Sequence, residues 1–280
     1  MSLNINKQKE LKRFASCIRI ETLKEIGHLG SGHVGGSLSI ADLLAVLYGE
    51  VMNIDVKKPK WEERDRLVLS KGHAGPALYA TLALKGFYPM DWLLTLNKPG
   101  TKLPSHVDKN KTPGVDMTAG SLGQGISVAC GIALGCRMKG MQNYTYAIIG
   151  DGECNEGEVW EAALFAGHRK LNNLIAFTDY NKQQLDGYTD EICNLGNLAA
   201  KFSEFGWFTQ SVDGHDVSEI YKAIINAKMQ NNKPSMIILN TIKGYGVSFW
   251  ENIPNNHYVI IENEELIRAL SELDMKMKEI

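Results

Sequence analysis

The sequence predicts an α/β fold, a parallel β-sheet with helices on both faces. Three observations lead there. Apolar runs of four to six residues alternate with longer stretches of helical periodicity, the pattern of strands joined by crossover helices. The runs stop at polar or glycine-containing turns such as Gly150-Asp151-Gly152, Asp179-Tyr180-Asn181 and Lys71-Gly72-His73. Residues 144–186 carry a whole strand–helix–strand unit, whose right-handed crossover makes the two strands parallel. No shift of composition marks a linker, and no repeat or low-complexity tract is present, so residues 1–280 are expected to form one domain.

The elements follow in order. Residues 7–29 read as a helix with Leu11, Phe14, Ala15 and Ile18 on one face. A glycine-rich turn from Gly27 to Gly36 carries His28 and His33 and leads into a helix over about 40–48. Residues 66–70 form a strand with Lys71-Gly72-His73 at its carboxyl end, and Pro76 opens the next helix, where its missing N–H is harmless. Residues 98–113 are a long irregular segment containing His106; a loop of that length in a compact domain is usually functional or disordered. Residues 121–138 are small or apolar nearly all round and predict a buried helix. Its Gly123, Gly125, Gly131 and Gly135 lower helix propensity by roughly 1 kcal/mol each, which points to a tight contact with another element or subunit.

In the central unit, residues 145–149 and 174–178 are strands. Asn155 is expected to cap the helix between them, with Glu158 completing a capping box and Trp160, Ala163, Leu164 and Gly167 on one face. Beyond it, residues 195–205 predict a helix, 209–212 a strand, Val217, Ile220, Tyr221 and Ile224 a helix, 236–241 the last strand, and a terminal helix begins near Asn263.

Asp151 and Asn181 each leave the carboxyl end of a strand, the edge where open α/β sheets bind ligands. A carboxylate and an amide oxygen are hard ligands suited to Mg²⁺ or Ca²⁺, and Mg²⁺ completes its shell with phosphate oxygens and water. Gly150 and Gly152 admit close backbone approach, and a helix N-terminus directed at the same place favours an anion. The combination predicts a divalent metal with a diphosphate. A lone Gly-Asp-Gly is as often an ordinary turn; the helix and the distant Asn181 separate this one from that background.

Composition narrows the class. Of 280 residues, 44% are hydrophobic and 22% charged, with net charge −2, which gives no support for a nucleic-acid or membrane-surface partner. The uncharged stretch from Met117 to Cys136 holds five glycines and is a poor membrane span. Cys17, Cys130, Cys136, Cys154 and Cys193 make no CxxC or ligand cluster and suit a reducing cytoplasm; the N-terminal stretch has no apolar signal core.

The Gly-Asp-Gly motif with an asparagine about thirty residues on resembles the metal-diphosphate motif of thiamine diphosphate enzymes. Ser31-Gly32-His33-Val34-Gly35-Gly36, Ser70-Lys71-Gly72-His73-Ala74 and Gly114-Val115-Asp116 through Thr118-Ala119-Gly120-Ser121-Leu122-Gly123-Gln124-Gly125 resemble transketolase signatures, in transketolase order. The resemblance covers roughly residues 10–260 and matches the N-terminal, diphosphate-binding half of that family. It implies the thiamine diphosphate-binding fold, the cofactors thiamine diphosphate and Mg²⁺ (or Ca²⁺ or Mn²⁺), and the N-terminal subunit of a split transketolase. Such a chain moves a two-carbon ketol unit from a ketose phosphate to an aldose phosphate.

By resemblance, Asp151 and Asn181 ligate the metal through side chains and Gln183 through its carbonyl. Gly152 donates to the diphosphate, Gly120 and Leu122 approach the cofactor rings, and Leu185 lines the thiazolium. Asp179 orients a histidine or a sugar hydroxyl, and Glu156 couples active sites across a dimer. His33 and His106 face ketose hydroxyls, while His73 and His257 reach the diphosphate and the reacting carbons. After His257 the family usually has glycine, where this chain has Tyr258. His28, His168 and His215 are expected to be structural. The family's proton-relaying glutamate and phosphate-holding arginines lie in a pyrimidine-binding domain. A partner chain carrying that domain and a C-terminal domain is therefore expected, in an α₂β₂ assembly, and this chain alone should not turn over. Other readings are the α-subunit of a 2-oxo-acid dehydrogenase, half of a 1-deoxyxylulose-phosphate synthase, and a non-catalytic regulatory subunit.

Overall fold

A computed structural model describes the chain except residues 1, 252 and 255. In chain order, α1 spans Ile5–Leu29, β1 Ser31–Gly32, α2 Gly35–Leu38, α3 Ala41–Val46, β2 Arg66–Leu69 and α4 Gly75–Lys85. Then come α5 Gln124–Met138, β3 Thr145–Gly150, α6 Gly157–His168, β4 Leu174–Tyr180, α7 Thr189–Ile192 and α8 Leu198–Glu204. The chain continues with β5 Phe208–Asp213, α9 Val217–Lys228, β6 Ser235–Asn240, β7 Val259–Ile260 and α10 Asn263–Lys278.

Five strands form one parallel sheet in the order β2-β3-β4-β6-β5. Alternation along each strand divides its side chains between two cores. Tyr146, Ile148, Ile175, Phe177, Ile237 and Leu239 pack with α1, α3, α4 and α9 on one face. Val68, Ala147, Ile149, Ala176, Met236 and Ile238 pack with α5, α6 and α8 on the other. Both faces are covered, so strands such as residues 174–179 are buried throughout and read as unbroken apolar runs. This arrangement is the predicted α/β sheet with helices on both faces. All carboxyl ends of the five strands lie along one edge.

Local chemistry shifts several predicted boundaries. Helix α1 starts two residues early because the Asn4 side chain accepts from the Lys7 N–H at 2.9 Å, and it ends at Gly30 with φ 91°. The helix expected over 40–48 is α3 continued by a π-helical turn from Leu47 to Val51. Asn155 does not cap α6. Residues 152–155 instead form a 3₁₀ turn capped by the Asp151 carboxylate, Glu156 precedes α6, and Glu158 accepts from the Ser127 hydroxyl. The buried side of α6 is Val159, Ala162, Ala163 and Ala166, whereas Leu164 is exposed.

Helix α5 also departs from the expectation of burial all round. Gly125, Ile126, Ala129, Cys130 and Ala133 face the sheet, and a Cβ on Gly125 would stand 2.4 Å from Ser70 Oγ. A Cβ on Gly131 or Gly135 would meet nothing within 4 Å outside its own helix, and Met138 is 78% exposed, so the opposite side is uncovered within this chain. A small antiparallel ribbon absent from the sequence reading pairs β1 with β7.

Candidate active site

The carboxyl edge of the sheet collects the side chains that the sequence singles out. Strands β3 and β4 are in register with Gly150 opposite Asp179, so the turns after them lie side by side. Asp151 sits in the first turn, where its carboxylate accepts from Gly152 N–H at 2.8 Å and from Lys182 N–H at 2.5 Å. Lys182 has φ 64°, a left-handed conformation that turns its N–H back toward Asp151. Asn181 and Gln183 are buried beside it, and Asn181 Oδ1 accepts from Gln183 N–H at 3.1 Å. Burial, then the neighbouring Asp179, pushes the Asp151 carboxyl up to about 7. A buried carboxylate beside a second carboxylate is suited to a divalent cation.

Asp179 is fully buried beneath the site. Its carboxylate accepts from Lys71 Nζ at 2.5 Å, Ser39 Oγ at 2.7 Å, Asn181 Nδ2 at 3.1 Å and Thr241 Oγ1 at 2.5 Å. Burial opposes its charge, but Lys71 and the hydroxyl donors outweigh that and hold the carboxyl below its usual range. The expected contact of Asp179 with a histidine or a sugar hydroxyl is not what this geometry provides. Asp179 is instead the anchor that fixes Lys71 and the metal-ligand candidate Asn181.

A narrow cleft opens between these turns and is lined by Gly36, Lys71, His73, Leu122, Asp151, Gly152, Asn181, Gln183, Lys243 and His257, among others. Glycines shape it: a Cβ on Gly36 would stand 3.0 Å from His73 Nε2, and one on Gly152 would stand 2.8 Å from Gln184 Cβ. Lys243, at the end of β6, is buried in the cleft, and among the described residues its ammonium has no ion pair. Burial, then repulsion from Lys71, pulls it down to about 8. The cleft therefore combines a carboxylate short of a cation with an ammonium short of an anion. A metal–diphosphate pair satisfies both.

The four predicted histidines converge. The His33 ring lies 5.5 Å from that of His73, 5.8 Å from His106 and 5.3 Å from His257, and His73 and His257 are 4.7 Å apart. Burial, followed by nearby cationic groups, lowers His33 to about 4, His257 to about 3 and His73 well below the usual range. These three imidazoles are neutral near pH 7 and can both donate and accept. Of the other histidines, His215 is bound into the scaffold, and His28 and His168 are exposed. His215 accepts from Ile242 N–H at 2.9 Å, contacts Asp42 Oδ2 at 2.9 Å and stacks on Tyr245. His28 Nε2 is 2.7 Å from Lys98 Nζ, and His168 is in the last turn of α6.

Gly120, Leu122, Glu156 and Leu185 are all exposed around the cleft or along its flank. Leu185 is 62% exposed, so it lines no enclosed pocket in this chain alone. Glu156 makes no side-chain cap bond to α6.

Three residues were missed by the sequence reading. Glu153 is buried and accepts from Ser70 Oγ, from Gly123 N–H at 2.8 Å and from Gly150 N–H at 2.9 Å, tying three site segments together. Lys71 and Lys243 are the others. The signal available for the lysines was a cation at the carboxyl end of an apolar strand, where a buried ammonium has to answer an anion.

Comparison with known proteins agrees with this geometry. The family described as "Transketolase, thiamine diphosphate binding domain" matches residues 10–279. The chain is 57% identical over 267 residues to the 6-deoxy-6-sulfo-D-fructose transketolase subunit SqwG of Clostridium sp. (strain MSTE9), covering 95% of this chain and 97% of that one. It is 40% identical to an apulose-4-phosphate transketolase subunit from Actinobacillus succinogenes, covering 94% and 96%. Its fold superposes with TM-score 0.89 on a transketolase from Pichia stipitis in complex with sedoheptulose 7-phosphate, at 31% identity, over 97% of this chain and 44% of that one. The chain thus spans nearly the whole of the two curated relatives and under half of the solved transketolase. With its motifs in place on the strand ends and the match running almost end to end, the chain belongs to the transketolase thiamine diphosphate-binding domain family.

Proposed function

We propose that this chain is the diphosphate-binding subunit of a two-chain, thiamine diphosphate-dependent transketolase. The observation that carries the reading is the meeting of four imidazoles with a cleft holding the unpaired Lys243 and the cation-poor Asp151. Asp151, Asn181 Oδ1 and the Gln183 carbonyl offer three oxygens to a divalent cation such as Mg²⁺. Among the described residues no group of three or more His, Cys, Asp or Glu is arranged to hold a metal. One carboxylate with two neutral oxygens leaves the shell to be completed by phosphate and water, as Mg²⁺ prefers. Lys243 and His73 line the same cleft and would hold the diphosphate, while the Gly152 N–H is taken by the Asp151 carboxylate.

When bound, thiamine diphosphate supplies the electron sink that lets a ketose carbon–carbon bond break. This chain's residues bind and orient. His33 and His106 would hydrogen-bond the hydroxyls of the ketose, and His73 and His257 would hold or release a proton at the oxygens where charge develops. Exposed Leu122, Leu164, Phe165 and Leu185 leave apolar surface for a second chain. A partner carrying the pyrimidine-binding domain, in an α₂β₂ assembly, accounts for that surface. The name of the 57% identical relative makes 6-deoxy-6-sulfo-D-fructose the first donor to examine. Unpaired cysteines and the lack of any helix long and apolar enough to cross a membrane among the described residues accord with a reducing cytoplasm.

The test is to purify this chain with whatever chain accompanies it, add thiamine diphosphate and Mg²⁺, and assay two-carbon transfer. Donors would be 6-deoxy-6-sulfo-D-fructose and xylulose 5-phosphate, with an aldose phosphate as acceptor. Transfer by the two-chain complex and none by this chain alone is the expected result. A complex that binds the cofactor yet transfers from neither donor would overturn the reading.

A further inference from the structure

Asn256 is fully buried and adjoins His257, where three segments of the site cross. Its Nδ2 donates to the Lys243 carbonyl at 3.0 Å and to the Trp250 carbonyl at 2.7 Å. Its own carbonyl accepts from Gly35 N–H at 2.9 Å, and the Gly35 carbonyl accepts from Gly244 N–H at 3.1 Å. These bonds close a ring that runs from Lys243 through Asn256 and Gly35 back to Gly244. Every corner of the ring holds or adjoins a residue of the cleft: Lys243 itself, His257 beside Asn256, and Gly36 beside Gly35. His33 precedes Gly35 by two residues, and its ring is 5.3 Å from that of His257.

A side-chain amide suits this place, because its one nitrogen carries two N–H donors and two buried carbonyls await them. The fit is close on the far side as well. A Cβ on Gly35 would stand 2.6 Å from the Asn256 carbonyl oxygen, 2.7 Å from its Oδ1 and 2.8 Å from Lys243 Cγ. The turn that follows Gly244 is fastened separately to α10: Ser248 N–H donates to Glu272 Oε1 at 2.9 Å, and Lys276 Nζ donates to the Gly246 carbonyl at 3.0 Å. What depends on Asn256 is therefore where Lys243 and His257 stand relative to each other. Resting on the reading of the cleft as a diphosphate site, we infer that Asn256 is a positioning residue. It does not line the cleft, and acts by holding the Lys243 ammonium at the diphosphate while the His257 imidazole faces the reacting carbons.

The test is a double-mutant cycle on the assembled two-chain enzyme, read as the dissociation constant of thiamine diphosphate with Mg²⁺ present. Asn256→Leu keeps the size of the side chain and removes both donors. It should weaken binding by about 10-fold in the native background, because the ammonium is no longer aimed at the diphosphate. In the Lys243→Met background it should weaken binding by no more than about 2-fold, since no ammonium is left to misplace. Gly35→Ala presses on Asn256 and Lys243 from the opposite side and should follow the same pattern. At saturating cofactor, Asn256→Leu should also lower kcat for two-carbon transfer by about 10-fold, through the displaced imidazole. Binding or kcat left unchanged by Asn256→Leu overturns the inference. A loss of binding equal in both backgrounds also overturns it, because that is the mark of a residue with a structural role alone.

If the native complex binds no thiamine diphosphate, the functional reading fails and the positioning is judged without ligand. The rings of His73 and His257 are 4.7 Å apart, close enough for NMR cross-relaxation between their ring protons. The cross-peak should be present in the native protein and lost in Asn256→Leu and in Gly35→Ala. Its absence from the native protein, or its retention in either folded variant, overturns the inference. Failure of both variants to fold overturns it too, because Asn256 would then hold up the scaffold rather than aim two of its side chains.

Discussion

The ammonium of Lys71 lies 2.5 Å from Asp179 Oδ2, with both side chains removed from solvent directly beneath the cleft. A buried pair of this kind is costly to break from one side, because the remaining charge stays dehydrated. Lys71→Met is expected to lower the unfolding free energy by about 3–5 kcal/mol. The double variant Lys71→Met with Asp179→Leu should recover much of that loss. Urea unfolding of the three proteins decides; a double variant as unstable as the single would contradict the pairing.

Lys243 makes the opposite prediction for the protein without cofactor. Its folded value of about 8 lies below the ordinary 10.5, so the folded state loses relative stability as pH falls from about 10.5 toward 8. At pH 7 the unpaired ammonium is a net cost. Lys243→Met should therefore raise the melting temperature of the cofactor-free protein while weakening thiamine diphosphate binding by about 10-fold or more. Calorimetry and a thermal melt read the two effects separately, and a variant that binds as well as the native chain would remove Lys243 from the diphosphate.

Asp151→Ala is expected to abolish Mg²⁺-dependent binding of thiamine diphosphate, since it removes the one charged oxygen among the three proposed ligands. Titration of the assembled protein with and without chelator checks this. Binding that still responds to Mg²⁺ would move the metal elsewhere.

His106→Ala should lower kcat/KM for transfer by about 100-fold and leave cofactor affinity close to native, the pattern of a group that touches the sugar. Because His33 titrates near 4 and His257 near 3, lowering the pH from 8 to 6 should not protonate them. The acid side of the pH–rate profile should then show no inflection near 6.5 from these groups. An inflection at 6.5 that disappears in His33→Asn would show that His33 is more hydrated than its burial indicates.

Glu25 is fully buried on α1, and neither carboxyl oxygen has a hydrogen-bond partner among the described residues. Burial, then Glu21, raises its pKa well above the ordinary carboxyl range. The folded state keeps a proton that the unfolded chain releases above about 4.5. Its contribution is complete below that pH and is lost as pH rises toward the folded value. Glu25→Leu should stabilise the protein by about 1–3 kcal/mol at pH 7 and make stability less dependent on pH. Unfolding at pH 5, 7 and 9 tests it: a gain that fails to grow with pH would refute the assignment.

The fold was legible wherever periodicity was strong. Residues 145–149 and 174–178 are strands because a sheet covered on both faces demands unbroken apolar runs, and that demand is visible in the chain. Residues 152–155 were misjudged because the rule for an N-cap weighs Asn155 locally, whereas Glu153 is drawn to Ser70 and Gly123 from elsewhere in the chain. The exposed side of α5 looked like core because apolar composition does not distinguish a side chain covered by its own chain from one left uncovered. The site motifs were readable as motifs. The Lys71–Asp179 anchor and the pairing of β1 with β7 were not, because each joins residues more than 100 positions apart with no pattern linking them.

The two-residue strands at Ser31–Gly32 and Val259–Ile260 join parts of the chain 227 positions apart, as measured from Ser31 to Tyr258. The last strand of the five-stranded sheet ends at Asn240, before His257 in the chain. Contacts of such long sequence separation are the slow ones to form, so the sheet can be in place before the ribbon closes and the imidazoles meet.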